Sequence, residues 1–81
     1  MPEERVKFEG RLAVNRRERS ETQLRMQGQV RSLRDLLEPF LPVERLETEL
    51  IASLSLELAK ESIHYRELLA ESQAIKDFLG K

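Results

Sequence analysis

Glu61-Ser62-Ile63-His64 sets a carboxylate and an imidazole three residues apart. On a helix that spacing turns both side chains toward one point, where they could ligate a divalent metal. His64 is the one histidine of the chain, so a complete site needs carboxylates from a facing element. Glu18 and Glu21 would supply them if position i of a helical hairpin faces about 81 − i, and a dimer would gather two copies of each ligand. The alternative is that Glu61 pairs with nearby cations while His64 lies on the surface beside Tyr65. A second group, Arg16, Arg17 and Arg19 with Arg5, Lys7 and Arg11 upstream, could neutralise phosphates of a nucleic acid. The same arginines also fit an ordinary solvated helix, because Arg17–Glu21, Glu21–Arg25 and Arg31–Asp35 are four apart. No cysteine nucleophile or glycine-rich phosphate loop is present, so the chain is read as a non-enzyme that carries no cofactor.

The elements that must position these residues are helices. Charged residues are 36% of the chain and apolar ones 40%, with three glycines and three prolines, a composition of paired helices rather than of disorder. Glu38-Pro39-Phe40-Leu41-Pro42 is the strongest punctuation, since each proline lacks a donor and clashes with the preceding turn. Beyond it Val43, Leu46, Leu50, Leu54, Leu58, Tyr65, Leu68, Ile75 and Leu79 recur at three- and four-residue steps, and Gly80 stands where a C-terminal cap belongs. The expected fold is mainly all-α. A long antiparallel helical hairpin is predicted, with a helix at about 16–38, a Pro turn at 39–42 and a helix at 43–79.

Residues 5–14 are read as a short β-strand ahead of the hairpin, because Val6, Phe8, Leu12 and Val14 alternate with charged residues around Gly10. The competing reading starts the helix at Pro2, with Glu3 and Glu4 facing the positive end of its dipole. Asn15-x-x-Glu18 and Ser20-x-x-Gln23 are candidate caps for a helix that follows a strand.

Both readings demand a partner. A lone strand must pair. The second helix also carries an extra apolar line, Ile51, Ala52, Leu56, Ala59, Ile63 and Ala70, which one partner helix cannot cover. A homodimer forming a four-helix bundle is therefore expected, with Leu50, Leu54, Leu56, Ile63 and Leu68 at the oligomer interface. A single domain of 81 residues with no cysteine has neither disulfide nor Cys-His zinc to complete its core. Self-association is the remaining route.

Three architectural resemblances follow. The Glu-x-x-His element resembles that of ferritin-like di-iron bundles, which surround the histidine with more carboxylates than this chain has. A strand followed by two helices resembles ribbon-helix-helix DNA-binding proteins, whose helices are shorter and lack the Pro-x-x-Pro connection. An all-helical version resembles the RNA-binding hairpin dimers of plasmid copy-number control. No motif carries the last two.

Charge is uneven: nine Lys/Arg stand against five Glu through residue 34, and five against ten acids from residue 35 on. The two halves can thus attract each other. No apolar stretch approaches the roughly 18 residues of a membrane span, the start is acidic, and the absence of cysteine suits a reducing compartment, so a cytoplasmic protein without a membrane partner is expected. The leading functional expectation is a structural or protein-interaction module, a homo-oligomeric hairpin acting as scaffold or adaptor for an unidentified protein. A small nucleic-acid-binding regulator is second and a metal-binding bundle third.

Overall fold

The computed structural model describes residues 2–81. Two helices, α1 (Pro2–Leu36) and α2 (Thr48–Leu79), pack against each other as an antiparallel hairpin in a rod of 63 × 15 × 14 Å. Acidic Glu3 and Glu4 in the first turn of α1 and Arg34 in its last complement the helix dipole.

The predicted strand at 5–14 does not form, and no strand occurs among the described residues. α1 runs through it unbroken, and Asn15 and Ser20 are interior helix residues instead of caps. The reason is that a helix satisfies its own backbone, whereas a single strand leaves a row of donors and acceptors unmet. The alternation was also misleading about burial. Of its four apolar residues only Leu12 is buried, at 4% exposure, while Val6 remains 70% exposed.

The turn is longer than the expected 39–42. Leu37 N–H still bonds Leu33 O at 2.9 Å, but helical geometry then stops before Pro39. Pro42 caps a single 3₁₀ turn, Val43–Arg45, closed by Arg45 N–H to Pro42 O at 2.9 Å. Leu46 then leaves the helical region at φ −65°, ψ 127°, so α2 begins at Thr48 rather than at 43. The far end matches expectation. Gly80 takes φ 74°, which favours glycine, and Lys81 N–H reaches back to Lys76 O at 2.9 Å.

This longer connection shifts the pairing. Asn15 meets Glu71, Arg25 meets Glu61, and the Phe8 ring packs at a tilt of 50° against that of Phe78 with centroids 4.5 Å apart. Position i therefore faces about 86 − i, five residues away from the expected register.

The inner face of each helix has a seven-residue repeat. In α1 the inward positions are Leu12, Asn15, Arg19, Thr22, Met26, Gln29, Leu33 and Leu36; in α2 they are Ile51, Leu54, Leu58, Glu61, Tyr65, Leu68, Ser72, Ile75 and Leu79. Steps of three and four alternate without interruption, the spacing of a coiled-coil seam. Burial is concentrated where the chain ends meet. Leu12, Ile75 and Leu79 form the apolar cluster there, with Asn15, Thr22, Leu68 and Ser72 buried beside it. Toward the turn Leu33, Leu54 and Leu58 are only half-buried, and Phe40 at the tip is 90% exposed.

Candidate functional site

Glu61 and His64 do not converge on a metal site within the hairpin. Glu61 points into the seam, where its Oε2 accepts from Arg25 Nε at 3.3 Å, while His64 lies exposed on the flank of α2. The five-residue shift in register explains the difference, because it brings a cation opposite Glu61 where Glu18 and Glu21 were expected. Glu18 is instead 3.4 Å from Arg11 Nη1, and Glu21 faces solvent. Among the described residues no three His, Asp or Glu side chains gather as a metal would need.

The arginine group is divided. Arg16 and Arg17 are exposed, but Arg19 folds into the seam and donates from Nε to Asn15 Oδ1 at 2.7 Å. Arg11 is also committed. It grips Glu71 with Nη2 to Oε1 at 2.8 Å and Nε to Oε2 at 3.0 Å, the forked geometry of a guanidinium on a carboxylate.

These contacts belong to a polar network across the seam. Asn15, wholly buried, donates its amide to Leu68 O and to Glu71 Oε1, both at 2.8 Å, and accepts from Arg19. Two turns on, buried Thr22 donates to Glu18 O at 2.7 Å and accepts from Arg25 Nη2 at 3.1 Å, and Arg25 carries the link to Glu61. A backbone carbonyl such as Leu68 O is offered at every level, but the Glu71 carboxylate is offered at one, so the buried amide opposes sliding through Glu71. The network therefore defines which residues of α1 and α2 meet.

The hydrogen bond from Arg11, followed by that from Asn15, holds the Glu71 carboxyl below its ordinary value of 4.5, and Arg11 is correspondingly raised by its bond to Glu71. A carboxylate whose pKa is lower in the folded state stabilises the fold above its unfolded pKa and loses that contribution as pH falls through the folded value. Acid titration of thermal stability should therefore show wild type declining below about pH 4.5 more steeply than Glu71→Gln, whose neutral amide cannot titrate. The two variants having parallel pH profiles would show that the fork contributes nothing to stability.

Of the expected interface residues, Leu68 is buried at 3% exposure and Leu54 half-buried, both on the seam with α1. Leu50, Leu56 and Ile63 remain exposed, the last two at 58% and 53%. Leu56 and Ile63 continue through Ala52, Ala59, Ala70 and Ala74, all exposed, along the side of α2 opposite the seam. α2 thus has two apolar faces and the hairpin covers one.

Sequence reading took Asn15 for a helix cap and missed it, with Thr22, Glu71 and Ser72, as a residue of the seam. Their signal was available in the seven-residue spacing that places each of the first two in line with Leu36, but their polarity concealed it from a search for apolar periodicity. No described helix is long and apolar enough to cross a membrane. Comparison with family models, with characterised proteins and with solved structures finds no match for this chain.

Proposed function

We propose that the protein is a non-catalytic structural or protein-interaction module, a hairpin that self-associates into a dimer of four helices and serves as a scaffold or adaptor. The observation that carries this reading is the uncovered apolar side of α2, with Leu56 and Ile63 more than half exposed. Exposed apolar residues in a contiguous line favour association, whereas scattered ones do not. A hairpin whose buried apolar cluster comprises Leu12, Ile75 and Leu79 also gains more from a second apolar contact than a larger domain would.

The nucleic-acid reading has less support. Arg19 and Arg11 are engaged inside the hairpin, which leaves Arg16 and Arg17, with Arg5 and Lys7 further along α1, as the exposed members of the basic group. The metal reading would need ligands from a second copy to join His64.

Sedimentation equilibrium tests the proposal. Wild type should approach twice the 9.5 kDa chain mass as concentration rises. Ile63→Glu should remain near the monomer mass and keep its helical circular dichroism, because the charge is tolerated on an exposed face and costly only in an apolar contact. A wild type that stays monomeric at every concentration and melts cooperatively would refute self-association.

A further inference from the structure

We propose that two hairpins pair through α2, antiparallel, about a twofold axis at Ile63. This rests on the self-association reading and adds its face, direction and register. On the side of α2 away from α1, Ala52, Leu56, Ala59, Ile63, Glu67, Ala70 and Ala74 follow one another at steps of four, three, four, four, three and four. Ala52, Ile63 and Ala74 are thus eleven apart, a repeat that drifts by only about 20° around the helix over each eleven residues, in the sense opposite to a seven-residue seam. Every member of the stripe is exposed in the hairpin.

Charge and size together select the occupant as a second copy of this chain. Glu67 is the one acidic interruption of the stripe, with Lys60 on the same flank seven residues before it. With an antiparallel partner centred on Ile63, the level of Lys60 on one hairpin is that of Arg66 and Glu67 on the other. The shared flank then brings each Lys60 ammonium beside the opposing Glu67 carboxylate, twice by symmetry. The same axis sets Leu56 against Ala70 of the other copy, a large side chain against a small one, with Ile63 on Ile63 at the centre and Ala52 against Ala74 at each end. A parallel partner would instead stack Leu56 on Leu56 and Ala59 on Ala59 and would bring the two Glu67 carboxylates to one level, a like-charge repulsion. Because the stripe lies opposite the seam, the four helices take the order α1, α2, α2, α1 side by side, not the square of a conventional bundle.

The chain has no cysteine, so introduced thiols report contact directly. Under mild oxidation a mixture of Leu56→Cys and Ala70→Cys should cross-link to each other, and Ile63→Cys to itself, since a disulfide requires Cα atoms within about 7 Å. Leu56→Cys alone and Ala70→Cys alone should give at least ~10-fold less dimer, their like residues being some 20 Å apart along the axis at 1.5 Å per residue. Lys60→Glu should weaken dimerisation several-fold, and Lys60→Glu with Glu67→Lys should restore it. Efficient self-cross-linking of Leu56→Cys would establish a parallel pair and overturn the register while leaving self-association intact. A wild type that sediments as a dimer but cross-links at none of these positions, with Lys60→Glu unaffected, would place the contact on another face. A wild-type monomer would remove both proposals.

Discussion

Ile75→Ala should lower the free energy of unfolding by about 2–5 kcal/mol, the usual result of truncating a buried Ile to Ala. A core of this size supplies only about 3–5 kcal/mol in all, so the variant should be largely unfolded or melt near ambient temperature. Ile75 is 5% exposed and shares its cluster with Leu12 and Leu79, and there is no second layer to collapse into the cavity. Leu24→Ala is the matched control, as Leu24 is 65% exposed and its loss should change stability by about 0.5 kcal/mol or less. Urea denaturation followed by helical circular dichroism measures both, at one protein concentration, because association would otherwise add to apparent stability. Equal effects of the two substitutions would mean that the cluster at the chain ends is not what holds the hairpin.

The hairpin itself was legible because its signals are local. Pro39 and Pro42 stop helices through missing donors and clashes, and Gly80 can adopt φ 74° where a side chain would be strained. The apolar steps along α2 name its inner face correctly at Leu54, Leu58, Leu68, Ile75 and Leu79. What failed depended on distant residues. Val6, Phe8, Leu12 and Val14 satisfy a period of two by coincidence, and only the seam through Leu12 and Asn15 shows that the period in use is three and a half. The register was unreadable for a different reason. Pro39 and Pro42 indicate that a turn occurs, yet its length depends on Leu46 and Glu47 leaving helical geometry, and the five residues 43–47 that this keeps out of α2 decide whether Glu61 meets a carboxylate or Arg25. Candidate chemistry at Glu61 and His64 was thus sensitive to a detail that no local rule supplies.

The register should fail first at Asn15. Asn15→Ala removes two donors and one acceptor from a wholly buried site and leaves Leu68 O and Glu71 without them, so it should cost about 1–3 kcal/mol. Asn15→Leu should behave differently. Leucine leaves the same three groups without Asn15, but it is similar in size and joins the apolar cluster around Leu12 and Ile75, so stability should fall less than in Asn15→Ala. What leucine cannot do is choose a level. With Asn15 gone, sliding α1 by one seven-residue repeat keeps the same face of α1 on the seam, though it brings Arg5 or Arg19 to the level of Leu12, and each such slip displaces facing residues by about 10 Å at 1.5 Å per residue. Spin labels on exposed Gln23 and His64, diluted with unlabelled protein so that only distances within one hairpin count, should give one narrow distance in the wild type and an additional, longer one in Asn15→Leu. A single narrow distance in both would transfer the register to the Arg11–Glu71 fork and the Phe8–Phe78 contact. Asn15 would then hold stability alone.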